Sequence, residues 1–183
     1  MVRAGVQADV QTLLQVEKSA AILLLEHGGL DLLAMHALAA DDLRRGIEAG
    51  LLLVAEAEGS AVGFALAGEL DGHAHLFEIN VDPAHGQRGI GSALLESVCA
   101  AAASRGYDRV TLVTLREVPW NAPFYARRGF VELAQGQWGK RLAGLIERER
   151  MMGLSMELRV VMRRMLPFSR DRREAASAIP ANH

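Results

Sequence analysis

One cysteine, Cys99, occurs in the 183 residues. A lone thiol closes no intramolecular disulfide, and a cysteine-based zinc centre is excluded. Lysine is almost as scarce. Only Lys18 and Lys140 occur, so 18 of the 20 basic residues are arginine, and they are scattered along the chain. Set against 22 acidic residues they leave a net charge of −2, which removes any bulk electrostatic case for nucleic acid. No apolar run approaches the roughly 20 residues that span a bilayer, so no membrane association is expected. The amino end, Arg3 followed by Asp9 and Glu17, has no signal-peptide apolar region. These absences lead to the expectation of a cytoplasmic protein with a reduced thiol. What is present suits one packed core: half of the residues are hydrophobic and 23% are charged, in a chain of one domain's length. No repeat or linker divides residues 1–166, which are read as one domain. From Pro167 to His183 the chain turns polar and Arg-rich, and this basic tail is read as disordered.

Val2–Val6 is β-prone. Asp9 is read as the cap of a helix that runs to Glu26 or His27, stopped by Gly28-Gly29. Leu30–Leu38 has a second helical period, and Asp41-Asp42 cap another helix that ends at Gly50. Three strands follow: Leu51–Ala55, Val62–Leu70 and His73–Val81. They are separated by Glu58-Gly59-Ser60 and by the strong turn signal Asp71-Gly72. Beyond Pro83 lie a glycine-rich loop, a helix Ser92–Ser104 and a strand Arg109–Leu115. A short helix Pro119–Arg128, a strand Phe130–Leu133, a helix Arg141–Met152 and a final strand Leu158–Leu166 complete the pattern. Three antiparallel strands ahead of a strand–loop–helix–strand crossover predict an α/β fold: a single mixed, mostly antiparallel sheet flanked by helices.

The loop Asp82-Pro83-Ala84-His85-Gly86-Gln87-Arg88-Gly89-Ile90-Gly91-Ser92 carries the most information. Its glycines let the backbone turn tightly and bring N–H groups close to a ligand. The helix behind it adds free donors and a positive dipole end, which suits a phosphate, and Arg88 places a cation at the rim. No G-x-x-x-x-G-K-[ST] run exists, so the loop is not a nucleoside-triphosphate P-loop. Gly89-Ile90-Gly91 lacks the third glycine of a dinucleotide fingerprint and follows an antiparallel hairpin. A plain tight turn packing a helix on a sheet is the competing reading.

Val81-x-Pro83, this loop, Ala93-Leu94-Leu95 and Phe124-Tyr125-Ala126-Arg127-Arg128-Gly129-Phe130 together resemble the GNAT N-acetyltransferase superfamily, whose loop reads [QR]-x-x-G-x-[GA]. The resemblance is concentrated in residues 74–133. It implies the acyl-CoA N-acyltransferase fold, with acetyl-CoA as co-substrate and its pyrophosphate gripped by the backbone of Gly86, Gln87, Arg88, Gly89, Ile90, Gly91 and Ser92. It also implies that Ile79 and Val81 lend backbone groups to the pantetheine arm where the sheet splays. The chain departs from the family twice. Gly86 stands where Gln or Arg is usual, with Gln87 one place later. Val118 stands where many relatives carry an Asn, seven residues before the tyrosine; Asn121 is one helical turn from Tyr125 and is either a cofactor ligand or the cap of the short helix.

Acetyl transfer to an amine requires loss of an amine proton, a donor to the oxyanion and an acid for the departing thiolate. The resemblance assigns the acid to Tyr125 and a carboxylate, acting directly or through water, to Glu78. Core packing of Phe124 and Tyr125, and a structural hydrogen bond for Glu78, are the alternatives. Simple alternation in the strand puts Glu78 on a face with Leu76 and Asn80, opposite Phe77 and Ile79. His73 and His75 share a strand face near Asp71, but no third ligand follows, so a solvated pair and no metal are expected. Cys99 reads as a small core residue, and Trp120 and Trp138 as an acceptor-side wall or core aromatics.

The sequence thus predicts an N-acetyltransferase acting by direct attack of a primary amine of a small molecule or peptide, with no covalent intermediate. A non-catalytic acyl-CoA-binding or sensory module on the same fold is the alternative. A further one is an interaction protein that uses Arg141–Met152 and the Arg-rich end. A homodimer stays open.

Overall fold

The computed structural model describes residues 1–26, 38–154 and 156–167. The expectations placed on Gly28-Gly29, on residues 30–37 and on the segment beyond Pro167 lie outside the described residues. In chain order the elements are β1 (Val2–Ala4), α1 (Val10–Glu26), α2 (Ala40–Glu48), β2 (Leu52–Ala57), β3 (Ser60–Leu70) and β4 (His73–Val81). Then follow α3 (Ile90–Ser104), β5 (Arg109–Leu115), α4 (Ala122–Ala126), β6 (Val131–Glu132), α5 (Lys140–Met151) and β7 (Arg159–Met165). The strands form one sheet in the order β1-β2-β3-β4-β5-β7-β6. Every neighbouring pair is antiparallel except β4 and β5, which α3 connects.

Two apolar layers sandwich the sheet. On one face, Leu94, Leu95, Val98, Cys99 and Ala102 of α3 pack against alternate strand residues such as Ala65, Leu76, Val110 and Leu112. The other face has two clusters. Val10, Leu13 and Val16 of α1 and Leu43 of α2 cover Leu52, Val54, Phe64 and Leu66. Leu142 and Ile146 of α5 cover Leu70 and Val161. This is the period-2 strand pattern meeting the period-3.6 helix pattern. Among the described residues no helix is long and apolar enough to cross a membrane.

Several local expectations are corrected. Asp9 is not an N-cap of α1. It lies one turn into a helical run that opens with a 3₁₀ turn at Gln7, where it accepts the Val6 N–H at 2.8 Å and a two-pronged bond from Arg3 at 2.8 and 2.9 Å. Arg3 also reaches Glu56 at 2.7 Å, so one guanidinium ties β1, β2 and the start of α1 together. The short helix is confined to Ala122–Ala126, because Pro123 sits in its first turn and Pro119 lies outside it. Helix α3 starts at Ile90, two residues earlier than expected.

The correction that matters most lies in β4. Leu66 pairs with Glu78 but Ala67 pairs with Leu76, so Phe77 is an extra residue opposite nothing, a β-bulge. Its ring lies beside Gly68, where a Cβ would come within 2.6 Å of it, and edge-on to His75 at 4.8 Å between ring centroids. Beyond the bulge the alternation is reversed. Ile79 and Val81 join Leu76 in the layer beneath α3, while Glu78 pairs with Leu66 and Asn80 with Phe64 on the α1 face. Glu78 therefore does not share a face with Leu76.

Candidate active site

Strands β4 and β5 pair over only three positions, Ala74 with Val110, His75 with Thr111 and Leu76 with Leu112. Strand β5 stays paired with β7 along its whole length, up to Leu115 with Arg159, so residues 77–81 of β4 part from β5. A gap opens in the sheet just where β4 delivers the chain to the glycine loop.

In the loop, Asp82 accepts the Ala84 N–H at 2.9 Å and Pro83 O accepts the Gly86 N–H at 3.0 Å. From there the donors run free. Among the described residues, no acceptor takes the backbone N–H of Gln87, Arg88, Gly89, Ile90, Gly91 or Ser92; the first bond inside α3 is Ala93 N–H to Gly89 O at 3.0 Å. Gly89 makes the turn into the helix at φ 80°, a left-handed conformation that costs glycine nothing. Gln87 adopts φ 59° without that freedom. Six adjacent donors at a helix start, closed by no protein acceptor, fit an oxyanion of the diphosphate class. A Cβ at Gly91 would stand 3.7 Å from Phe124 and 3.8 Å from Val81, between the loop and the gap.

Helix α4 faces this loop. Tyr125 is 5% exposed and packs edge-on between Phe124 and Phe130 at 5.2 and 5.7 Å between centroids. Burial, and next the negative charge of Glu78, hold its phenol well above the usual value of 10.0, so it stays protonated through the neutral range. Tyr125 belongs to the layer beneath α3, whereas Glu78 pairs with Leu66 on the α1 face. The Glu78 carboxylate accepts a bond from the Asn80 amide at 3.2 Å. Asn121 occupies the N-cap position of α4, but only its backbone oxygen acts there, accepting the Tyr125 N–H at 3.1 Å; its side chain caps nothing.

Arg128 was not singled out as a ligand from the sequence. Its Nε and Nη2 both donate to Ser92 Oγ, Nε at 3.1 Å, while Nη1 donates to Phe124 O at 2.9 Å. The guanidinium lies over the Phe124 ring at 3.7 Å.

Other residues flagged from the sequence fall elsewhere. His75 is not solvated: it is 2% exposed and bonds through Nδ1 to Thr111 Oγ1 at 2.8 Å. The Thr111 hydroxyl also contacts Ala74 O at 3.3 Å and donates its proton there, so His75 is the donor to Thr111. Burial pulls this imidazole down to about 4. His73 turns instead to Asp108 at 2.8 Å. Cys99 is buried in the α3 layer, which pushes its thiol up to about 11 and leaves it a poor nucleophile. Trp120 is exposed on the loop before α4. Trp138 donates to Leu133 O at 2.9 Å and lines a cavity of about 210 Å³ with His73, Arg109 and Thr111, at the end of the sheet away from the glycine loop.

Residues 22–130 match the acetyltransferase (GNAT) family. The mycothiol acetyltransferases of Clavibacter sepedonicus and Clavibacter michiganensis are 35% and 37% identical over 86 and 87 residues, 47% and 46% of this chain. The match covers only 28% of each of those proteins. Among solved structures, PaiA N-acetyltransferase of Thermoplasma acidophilum, in complex with coenzyme A, has a TM-score of 0.66 at 17% identity over 90% of this chain and 98% of that one. N-acetylglutamate synthase of Neisseria gonorrhoeae, with coenzyme A and N-acetyl-glutamate, has a TM-score of 0.69 at 18% identity over 91% of this chain and 35% of that one. At these identities the likeness is one of fold. The family match covers more than half of the chain and takes in the glycine loop and the helix that carries Tyr125: the chain belongs to the acetyltransferase (GNAT) family.

Proposed function

We propose that residues 1–166 form an acetyltransferase domain that moves an acetyl group from acetyl-CoA to a primary amine of a small molecule or peptide by direct attack. The observation that carries this reading is the uninterrupted set of donors from Gln87 to Ser92 at the mouth of the β4–β5 gap, with Glu78 on the splayed end of β4 and the Tyr125 phenol near enough to feel its charge. The loop N–H groups hold the diphosphate of the co-substrate. The backbone of Ile79 and Val81, released from β5, holds the pantetheine arm, and the Asn121 side chain, free of a capping role, is available to the same ligand.

The amine nitrogen attacks the thioester carbonyl carbon and the carbon–sulfur bond breaks. The amine gives its proton to Glu78, directly or through a water, and Tyr125 gives the phenolic proton to the departing thiolate. The buried phenol stays protonated through the neutral range, so it holds a proton when the sulfur leaves. Cys99 takes no part as a nucleophile, since burial in the α3 layer keeps it a thiol. The resulting products are an amide and free CoA.

The test is a panel of primary amines incubated with acetyl-CoA and the full chain, with products read by mass spectrometry so that thiol-bearing acceptors do not interfere. Mycothiol-related amines belong in the panel because of the two relatives named above. An acceptor-dependent mass gain of one acetyl group is expected. Tight acetyl-CoA binding with no acceptor turned over would favour a binding or sensory module instead, and no binding at all would overturn the reading of the loop.

A further inference from the structure

Most guanidinium groups that make hydrogen bonds here meet a carboxylate: Arg3 with Asp9 and Glu56, Arg116 with Glu132, Arg159 with Glu149 and Arg164 with Glu96. Arg128 is different. Its partners are a hydroxyl, a backbone carbonyl and a ring, all neutral, and among the described residues no carboxylate faces it. The side chain is half-buried. These neutral partners return part of the solvation a half-buried cation loses, but none of them offsets its charge.

Its position gives that charge a use. Ser92, its anchor, lies in the first turn of α3, and the Ser92 N–H is the last of the six free donors. A guanidinium has five N–H groups. Nε, one hydrogen of Nη2 and one of Nη1 are engaged, which leaves one N–H on each terminal nitrogen for an incoming acceptor such as a phosphate. Stacking on Phe124 and three bonds fix the group before any ligand arrives, so little side-chain entropy remains to be lost on binding.

We infer that Arg128 is a phosphate-binding residue of the co-substrate site, held beside the glycine loop by Ser92 and Phe124 as a preformed cation. The inference rests on the acetyl-CoA reading of that loop. It also separates Arg128 from Arg88, which is exposed on the loop and has no such anchor.

The experiment measures binding of acetyl-CoA by calorimetry, and of S-acetylpantetheine, which has no phosphate, by ligand-observed NMR. The full chain and the variants R128Q and R128K are compared, with a melting curve for each. R128Q should bind acetyl-CoA at least tenfold more weakly, and its affinity should depend less on salt between 0.05 and 0.5 M, as expected for a lost charge (about a 14 to 4 Å change in screening length). S-acetylpantetheine should bind R128Q and the unaltered chain alike. R128K keeps the charge without the fork and should fall between. Equal acetyl-CoA affinity in R128Q overturns the inference, and so does an equal loss for S-acetylpantetheine, which would mark a purely structural role. Should R128Q fail to fold, R128K decides: a several-fold loss confined to acetyl-CoA supports the inference and unchanged affinity overturns it. An unaltered chain that binds no acetyl-CoA overturns the reading of the loop itself, and is recognised because it needs no variant.

Discussion

Replacing Gly91 separates the stability of the loop from its use. Gly91 is the second residue of α3, and a Cβ there meets Phe124 at 3.7 Å and Val81 at 3.8 Å, ordinary van der Waals distances. Gly91→Ala therefore introduces no clash. It removes the backbone freedom of a helical glycine in the unfolded chain, which is worth about 0.5–1 kcal/mol of added stability. Gly91→Val adds two methyl groups beyond that Cβ, between Val81 and Phe124, where the co-substrate would pass from the loop into the gap. Acetyl-CoA affinity should fall at least tenfold, about 1.4 kcal/mol, in the valine variant. Urea denaturation of the ligand-free chains and calorimetry with acetyl-CoA give the two numbers independently. The expected pattern is an alanine variant at least as stable as the unaltered chain and a folded valine variant that binds poorly. Full affinity in Gly91→Val would mean that the phosphate lies elsewhere, and a destabilised Gly91→Ala would mean that the contacts with Phe124 and Val81 are tighter than described.

Tyr125→Phe keeps the ring packing against Phe124 and Phe130; it should leave acetyl-CoA binding intact and lower kcat by about 10²-fold, measured with one identified acceptor. Glu78→Gln should lower kcat/KM by a factor that shrinks as pH rises toward the pKa of the acceptor amine, near 10; a deficit constant from about pH 6.5 to 9.5 would remove the base role. His75 is neutral when folded, with its pKa at about 4 against 6.5 in the unfolded chain, so the unfolded state takes up the proton first as pH falls. Stability should therefore drop between pH 6.5 and 4 by up to about 3 kcal/mol, and denaturant titrations of His75→Gln should show a flatter pH dependence over that window. Asp9, held below the usual carboxylate range by Arg3, adds stability at neutral pH that disappears as pH falls below the ordinary value of 3.8; the stability gap between the unaltered chain and Asp9→Asn should close there.

Strand boundaries were legible where the chain carries punctuation. Strands β4 and β5 occupy the residues expected for them, because Asp71-Gly72 (φ 53° and 79°) and Pro83 bracket the first and Gly106 precedes the second. The gap beside the loop was expected only through family resemblance; in the structure it follows from a parallel pairing just three residues long, a quantity that no local pattern encodes. The short α4 had a usable signal, Pro123, which favours the first turn of a helix and argues against a start at Pro119. The buried state of His75 had a weaker one: its partner Thr111 lies 36 residues away in β5 and becomes a neighbour only through the crossover. Arg128 was hidden for the same reason, since the hydroxyl that holds it belongs to another helix.

The bulge at Phe77 shows how one residue redirects a site. With unbroken alternation, Glu78 would share the face of Leu76 and lie under α3, among Leu94, Leu95 and Val98, where an unpaired carboxylate would be protonated or would destabilise the core. Ile79 and Val81 would then face the α1 side and leave the α3 layer short of two apolar residues. The extra residue exchanges the two sets. Apolar Ile79 and Val81 close the core beneath α3, and Glu78 with Asn80 goes to the opposite face, still close enough to the gap to raise the Tyr125 phenol. The enabling residue is on the neighbouring strand. Gly68, opposite His75, leaves the space that the displaced Phe77 ring occupies, and any side chain there would meet the ring at 2.6 Å. Gly68, inside β3, was thus a local sign that register changes here. The face of the sheet on which the carboxylate stands is set by a glycine ten residues upstream.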